Sequence, residues 1–267
     1  HLGRGGILHR LGEGRLGDRV VLAKLFVSRG SRRYWRRERV GIAALLAAGI
    51  PTPTPIAAAP LAGGGQVLLT TFLADALPLA DALADQPTAV SRLPAVARLI
   101  GNMHRAGLVQ TDLHLGNVLL HADTLLMIDG DGVRRRRKPL GDRAATGNLA
   151  RLLAALPTAL RAHAPLMVEA YRSANPEFRA SADSIRAAVA HADARRIRDQ
   201  VDKCLRDCSR FRVPRSGAYR AVVLREASEW LEPALHGAFT SLAEVSPGSG
   251  ASMHLGDRPV QVRGFAA

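Results

Sequence analysis

The sequence predicts an α+β fold with two lobes, in which strands come first and helices follow. The first seventy-odd residues read mostly as β-strands with one helix, and helical patterns prevail after them. The helical part contains one polar loop and one short apolar hairpin, at about 110–128. Strands and helices segregated in this way are typical of α+β architectures. We expect an N-lobe at 1–74, a C-lobe at 75–245 and a tail at 246–267.

The predicted N-lobe begins with two strands and a helix. GILHRL (6–11) and RVVLAKLF (19–26) are rich in β-forming residues and flank the turn GEGRLGD, so they predict an antiparallel hairpin. A helix is predicted from about Ser31 to Ala48, because Gly49 and Pro51 follow it as stop signals. Residues 51–65 read as an extended, turn-rich connector, and 66–73 read as a further strand.

The predicted C-lobe is mainly helical. A long helix covers about 86–106 and ends at Gly107. NVLLH (117–121) and TLLMI (124–128) predict a short hairpin across Ala122 and Asp123. Further helical patterns occupy four segments, at 144–156, 161–173, 180–208 and 216–235. The tail is rich in Gly, Ser and Pro at first and β-like afterwards.

Composition and charge limit the classes of function. With 47% hydrophobic residues, a chain of 267 residues can bury a sizeable core. It has neither a membrane-length apolar run nor a secretory signal pattern, so we expect no membrane span. The net charge of +14 favours anionic partners, such as an acidic membrane surface or a phosphorylated glycolipid, although an Arg-favouring codon usage would also produce it. Aromatic residues are only 4%, too few for a nucleic-acid reader that stacks bases.

The two cysteines, Cys204 and Cys208, lie four residues apart in a predicted helix. Helical geometry disfavours a disulfide between them, and no His or Cys pair completes a zinc site. Reduced thiols are the expectation, as is usual for a cytoplasmic protein.

The most informative stretch is QTDLHLGNVLL (110–120), in which Asp112 and Asn117 lie five residues apart. In phosphotransfer loops, an Asp orients the acceptor hydroxyl and an Asn five residues later binds magnesium. The alternative is that both side chains cap local backbone groups. Because the following hairpin returns the chain, Asp129 of LLMIDGDG is expected beside Asn117 as a second magnesium ligand. Asp131 is a further ligand or a turn residue.

Lys24 is the candidate cation for the phosphates of a nucleotide. It lies near the end of the strand VVLAKLF and is the only lysine before position 138, in a chain where 34 of the 37 basic residues are Arg. Such a lysine indicates a need for a compact ammonium rather than a guanidinium. The alternative is an ordinary exposed strand lysine.

Glu38 is the candidate partner of that ammonium. Before position 169 the chain has only two glutamates, and Glu13 falls in the predicted hairpin turn. Glu38 shares a helical face with Ile42 and Leu45, so it points where the apolar side packs. The alternative is a surface glutamate that balances neighbouring arginines.

The remaining candidates would contact the two substrates. The glycines of HLGRGG (1–6), which are Gly3, Gly5 and Gly6, would let backbone N–H groups approach the phosphates. His114 would contact phosphate or the acceptor, or else pack the loop. The arginines that follow Asp129, which are Arg134, Arg135, Arg136 and Arg137, would bind an anionic acceptor. The alternative is that these arginines only form a solvated loop. The same alternative applies to the arginines of 29–39.

The order of a Gly-rich start, Lys24, Glu38, QTDLHLGN and IDGDG resembles the protein-kinase-like superfamily. Three longer stretches narrow the resemblance: RERVGIAALLAAGIPTPTPIA, NMHRAGLVQTDLHLGNVLL and KCLRDCSRF. Together they resemble the bacterial lipopolysaccharide core kinases, which phosphorylate Kdo or heptose of the inner core. The similarity covers about residues 1–212.

This resemblance implies a bilobal protein-kinase-like fold with ATP and Mg²⁺ as cofactors. It implies that Asp112 is the catalytic base, Asn117 and Asp129 are magnesium ligands, and Lys24 and Glu38 position the phosphates. The implied acceptor is the lipopolysaccharide inner core or a lipid A precursor, at the cytoplasmic face of the inner membrane.

The chain departs from the protein-kinase pattern at three points. Protein kinases have His two residues before the catalytic Asp, where this chain has Gln110. Their D-F-G motif is D-G-D here, so Asp129 lacks the packing Phe. A first strand ahead of the Gly-rich start is expected to be absent.

Two other functions compete with this reading. Aminoglycoside and choline kinases also carry D-L-H-x-x-N loops, but they bind cationic acceptors in acidic pockets, which the surplus of Arg disfavours. A pseudokinase or a basic module that binds acidic lipid or nucleic acid is the other alternative. The intact set of Lys24, Glu38, Asp112, Asn117 and Asp129 argues against it.

Overall fold

The N-terminal part of the chain forms one antiparallel sheet, ordered β1-β2-β3-β5-β4. The computed structural model describes residues 2–3, 7–84, 86–216, 219–228, 250–255 and 258–263. The sheet's strands are β1 (Leu2–Gly3), β2 (Ile7–Leu16), β3 (Arg19–Phe26), β4 (Pro55–Pro60) and β5 (Gln66–Thr71). The predicted β2–β3 hairpin is confirmed.

Three details of this sheet differ from the sequence prediction. β2 continues to Leu16, so the hairpin turn is only two residues long and Glu13 lies in the strand opposite Leu22. Gly17 adopts a φ of 59°, which glycine tolerates better than other residues and which closes so short a turn. The predicted connector contains β4, because its small residues pair with β5. A two-residue strand, β1, lies within the Gly-rich start, for which no strand was predicted, and pairs with β2.

Helix α1 (Arg32–Ala47) packs on the sheet and on the C-terminal core. Its Ile42 lies with Phe26 and Leu68 in a small cluster under the sheet, whereas Leu45 belongs to the large core of the C-lobe. The helix ends as predicted, with Gly49 at a φ of 67°. One helix therefore connects the two hydrophobic clusters.

The C-lobe is mainly helical, as predicted. Its helices are α2 (Leu79–Ala82), α3 (Gln86–Arg105), α4 (Asp142–Ala155), α5 (Ala164–Ala174) and α6 (Ala182–Cys204). Its strands are β6 (Leu77–Pro78), β7 (Leu108–Gln110), β8 (Val118–His121), β9 (Thr124–Met127) and β10 (Val133–Arg135). Short 3₁₀ turns occupy Leu115–Asn117, Gly130–Gly132 and Thr158–His163. The chain thus has the mixed, bilobal kinase-like architecture expected from its sequence.

Two strand pairs frame the polar loop between α3 and α4. β8 and β9 form the predicted hairpin, with Ala122 and Asp123 at positive φ in its turn, and β6 extends it to three strands. β7 pairs with β10, so Gln110 lies opposite Val133. The loop is therefore anchored by strands at both of its ends.

The chain divides into two compact units, His1–Asp193 and Ala194–Ala267. In the second unit, β11 (Phe211–Arg212), β12 (Arg215–Ser216), β13 (Tyr219–Arg220), β14 (Val223–Leu224), β15 (Gly250–Leu255) and β16 (Arg258–Arg263) pair as short hairpin-like ladders. The helix predicted at 216–235 is wrong for 219–227, where short strands and a 3₁₀ turn occur, and 229–235 lie outside the described residues. β15 and β16 confirm the β character predicted for the last residues. The domain limits at 74 and 245 and the assignment of 246–267 as a tail stay predictions.

Neither cysteine forms a disulfide, as expected. Cys204 ends α6 and Cys208 lies beyond it, so the two do not share the predicted helix. In the part of the chain that the structure describes, no helix has the length and apolar character needed to cross a membrane.

A buried polar network joins three helices of the C-lobe. His104 of α3 is fully buried, and its Nδ1 lies 2.6 Å from the Tyr171 hydroxyl while its Nε2 lies 2.9 Å from Asn148 Oδ1. Because Asn148 donates through Nδ2 to the Gln110 carbonyl at 2.8 Å, its Oδ1 is the acceptor for His104 Nε2–H. Burial lowers the pKa of His104 to about 4 and raises the pKa of Tyr171 to about 12.

The His104 network predicts a loss of stability in mild acid. The pKa of His104 in the folded protein is about 4, below the ordinary 6.5. The contribution of neutral His104 to the unfolding free energy is therefore complete above pH 6.5 and is lost as the pH falls toward 4. Between pH 7 and pH 4.5, the wild type should lose about 2–3 kcal/mol more unfolding free energy than His104→Gln. Urea unfolding of both proteins measures this difference, and parallel pH curves would contradict it.

Helix α1 lies directly against the 3₁₀ turn that follows β9. A Cβ added to Gly41 would lie 2.0 Å from the Gly130 carbonyl oxygen, and one added to Gly130 would lie 2.4 Å from the Glu38 carbonyl oxygen. Both contacts involve main-chain atoms, which cannot rotate away as side chains do. Glycine at both positions therefore allows the helix to approach the turn.

Gly41→Ala should destabilise the protein by about 1–3 kcal/mol, because the new methyl group overlaps a main-chain carbonyl. Gly147→Ala is the matched control in an exposed helical position of α4, where an added Cβ meets nothing within 4 Å. This control should gain about 0.5–1 kcal/mol from helix propensity. Chemical denaturation measures both, and equal effects of the two substitutions would disprove the packing argument.

Candidate active site

The centre of the candidate site is an ion triad formed by Lys24, Glu38 and Asp129. Lys24 Nζ lies 3.0 Å from Glu38 Oε2 and 2.9 Å from Asp129 Oδ1. Lys24 comes from β3, Glu38 from the inner face of α1, and Asp129 follows β9. The structure therefore brings together three residues that the sequence analysis selected.

Burial and charge act against each other in this triad. Burial alone would lower the pKa of Lys24, but the carboxylates of Glu38 and Asp129 outweigh it and raise that pKa. Burial raises the pKa of Glu38, which is only 4% exposed, and the Lys24 ammonium opposes this rise. The Asp131 N–H also donates to Glu38 Oε2, at 2.9 Å. A buried carboxylate without such partners would be strongly unfavourable.

The polar loop holds Asp112 and Asn117 in one hydrogen-bonded turn. Asn117 Nδ2 donates to the Asp112 carbonyl oxygen at 2.8 Å, and Asn117 N–H donates to the His114 carbonyl at 3.0 Å. Asn117 is buried and Asp112 is half-buried. On α4, Arg151 Nη1 donates to the Thr111 carbonyl at 2.8 Å, which ties the loop to that helix.

The β8–β9 hairpin brings Asp129 back to Asn117, as the sequence predicted. Val118 pairs with Met127, and Ile128 N–H donates to the Asn117 carbonyl at 2.9 Å. Asp129 itself has a φ of 63°, which is uncommon for a residue other than glycine. The chain turns sharply at Asp129, and the next residue, Gly130, contacts α1.

Asp131 lies in the 3₁₀ turn, where the turn interpretation placed it. Its Oδ1 lies 3.0 Å from Arg37 Nε, and its carbonyl accepts from Arg37 Nη2 at 3.2 Å. Burial raises the pKa of Asp131, and Arg37 opposes that rise. This ion pair is a second link between α1 and the turn, beside the triad.

The candidate acceptor residues occupy different environments. His114 is exposed, and its Nδ1 accepts from Gly116 N–H at 3.1 Å. Arg134 is half-buried, and its Nη1 donates to the carbonyls of Asp131 and Val133 at 2.6 and 2.9 Å. Three further arginines of this run are exposed: Arg135, Arg136 and Arg137.

The Gly-rich start is described only in part. Gly3 lies in β1 and pairs with Ile7 of β2. Gly5 and Gly6 lie outside the described residues.

Two features of the site escaped the sequence analysis. Gln110 was noted only as a departure from the kinase pattern, yet its fully buried amide contacts the backbone of both Asp112 and Asp129. The sequence signal that could have revealed the role of Gln110 was its position two residues before Asp112. The contact of Gly41 with Gly130 had no such signal, because it depends on the crossing of α1 over the turn.

The donor set suits magnesium better than a tightly held transition metal. Among the described residues, no group of three or more His, Cys, Asp or Glu side chains could hold a metal ion. Mg²⁺ is commonly bound by one or two carboxylates together with substrate phosphates and water. Asn117 uses its amide nitrogen within the loop, which leaves the amide oxygen for such an ion, and Asp129 follows at the same end of the β8–β9 hairpin. Asn117 and Asp129 therefore fit a Mg²⁺ ion.

A comparison with family models places the chain among known proteins. The model of the lipopolysaccharide kinase (Kdo/WaaP) family matches residues 10–171, more than half of the chain. No curated protein matches. The matched segment includes the ion triad and the polar loop with Asp112 and Asn117. The chain therefore belongs to the lipopolysaccharide kinase (Kdo/WaaP) family and is a phosphotransferase.

Proposed function

We propose that this kinase transfers the γ-phosphoryl group of ATP, with Mg²⁺, to a sugar hydroxyl of the lipopolysaccharide inner core. The acceptor sugar is Kdo or heptose. The reaction takes place at the cytoplasmic face of the inner membrane, on the inner core or a lipid A precursor. The enzyme is peripheral to that membrane and contacts its acidic surface.

The Lys24 ion triad carries this proposal. An ammonium held at 3.0 and 2.9 Å from two carboxylates is fixed in position and stays charged. Such a group can contact the phosphates of a nucleotide without being reorganised during the reaction. Burial of Glu38 supports this role, because a surface pair of the same residues would be weak and mobile.

Asn117 and Asp129 are the residues that would hold Mg²⁺. Asp129 supplies a carboxylate and Asn117 an amide oxygen, and the hairpin keeps both at one end of the β8–β9 ladder. When bound, Mg²⁺ neutralises charge on the phosphate oxygens.

Asp112 is the proposed base. Its carboxylate orients the acceptor hydroxyl and takes its proton as the hydroxyl oxygen bonds to the γ-phosphorus. The bond from that phosphorus to the bridging oxygen breaks, and ADP leaves with the electron pair. The hydrogen bond from Asn117 to the Asp112 carbonyl supports this arrangement, because it fixes the loop at the base.

The exposed arginines suit an acidic glycolipid. Inner-core sugars carry carboxylates and phosphates, and Arg pairs with both groups through two parallel hydrogen bonds. Arg135, Arg136 and Arg137 are exposed and follow the turn that carries Asp131. We assign them, with His114, to the acceptor, whereas Arg134 also supports the main chain of the turn.

Labelled ATP and Mg²⁺, offered with a panel of acceptors, test the proposed reaction. The panel contains rough and deep-rough lipopolysaccharides, Kdo, heptose, choline and an aminoglycoside. Label should appear on an inner-core acceptor, and omission of Mg²⁺ should prevent it. Label confined to choline or the aminoglycoside would overturn the proposed acceptor class.

Asp112→Asn should lower the rate of phosphate transfer by about 10²–10⁴-fold while nucleotide affinity stays within a few-fold. The amide keeps the shape of the side chain but cannot accept the hydroxyl proton. Single-turnover transfer and equilibrium nucleotide binding separate the two effects. Transfer at the wild-type rate would remove Asp112 from the mechanism.

Lys24→Arg should be nearly as damaging as Lys24→Ala, with each losing about 10²-fold or more in kcat. A planar guanidinium is wider than the ammonium that lies between Glu38 and Asp129, although it conserves the charge. Steady-state kinetics of both variants provide the comparison. An active arginine variant would show that charge alone suffices and that the triad geometry does not matter.

A further inference from the structure

Gln110 connects two of the acidic residues of the site, Asp112 and Asp129, through one side chain. It ends β7 and is fully buried. Its Nε2 donates to the Asp129 carbonyl oxygen at 2.9 Å, and its Oε1 accepts from the Asp112 N–H at 3.3 Å. Asp112 and Asp129 are thus hydrogen-bonded, through their main-chain atoms, to the same amide group.

The chemistry of an amide fits both contacts at once. Glutamine offers a donor and an acceptor in one rigid plane, and these match the Asp129 carbonyl and the Asp112 N–H. The orientation of the amide is determined by those partners, because a carbonyl oxygen requires the NH₂ and an N–H requires the oxygen. An aliphatic side chain would remove both of these hydrogen bonds, and the Asp129 carbonyl would keep only its contact with the Gly132 N–H at 3.2 Å among those described.

The surroundings pack closely against the amide. A Cβ on Gly132 would lie 1.8 Å from Gln110 Oε1, 2.7 Å from Cδ and 3.0 Å from Nε2, so this glycine's backbone lies against the side chain. The main chain of Gln110 is held as well, because Asn148 Nδ2 donates to its carbonyl at 2.8 Å. The buried His104 in turn holds Asn148.

We propose that Gln110 is a positioning residue that sets the relative placement of Asp112 and Asp129. The inference rests on the proposed roles of those two residues in phosphate transfer. Misplacement of reacting groups by about 1 Å can cost about 10²-fold in rate. The amide of Gln110 therefore affects turnover and use of the metal, although it touches neither substrate.

Gln110→Ala should lower kcat by about 10- to 100-fold and raise the Mg²⁺ concentration needed for half-maximal rate, with a small change in the acceptor KM. Asn175→Ala is the matched control, because it also removes a buried amide, one that contacts the Tyr171 hydroxyl at 3.2 Å. This control should lose stability and keep kcat within about two-fold. An equal fall in kcat for both variants would overturn the proposal.

Gln110→Glu keeps the shape and tests the donor. Its ionised carboxylate would repel the Asp129 carbonyl, whereas the protonated form can donate to it. The activity of this variant relative to wild type should therefore rise as the pH falls. A pH profile parallel to that of the wild type would contradict the role of the donor, and this nearly isosteric variant avoids the loss of fold that truncation can cause.

Gly132→Ala tests the same contact from the other side. In the wild-type background its methyl group would displace the Gln110 amide and should lower kcat by about 10-fold. In the Gln110→Ala background the three clashing atoms are absent, so the further loss should be below about two-fold. Additive losses would show that Gly132 acts independently of Gln110 and would overturn the proposal.

Two reference variants separate this inference from the proposed function. If Asp112→Asn and Asp129→Ala both keep the wild-type kcat, the proposed roles of the two carboxylates are wrong. If both are impaired while Gln110→Ala keeps wild-type kcat and Mg²⁺ response, only the positioning role of Gln110 is wrong.

Discussion

The burial of Glu38 is the constraint on which the rest of the site depends. A carboxylate with 4% exposure needs a cation and a hydrogen-bond donor nearby, and Lys24 and the Asp131 N–H supply them. The first contact joins α1 to β3, and the second joins it to the turn after β9. Satisfying one buried charge thus aligns the sheet, the helix and the segment that carries Asp129.

Most of the fold and the charged residues of the site could be predicted from the sequence. Lys24 and Glu38 were identifiable because an Arg-rich chain with few glutamates made each of them unusual. The β8–β9 hairpin was predictable from two short apolar runs around a turn, and it brought Asp129 to Asn117. These features depend on local patterns, which composition and spacing report well.

What the sequence did not reveal depends on contacts between distant segments. β4 was read as a connector because its prolines and alanines gain strand character only by pairing with β5. Glu13 looked like a turn residue because glycines surround it, although β3 draws the whole segment into a ladder. Gln110 drew notice only by comparison with kinases, because its role requires Asp112 and Asp129 to be adjacent in space.

The contact between Gly41 and Gly130 also restricts how this chain can diverge. Neither position can acquire a side chain while α1 keeps its present distance from the turn. A lineage that replaces one glycine must shift the helix as well, and that shift would disturb Glu38, which lies one turn earlier on α1. Relatives that retain the ion triad should therefore retain both glycines, so the two positions should be conserved together although they lie 89 positions apart in the chain.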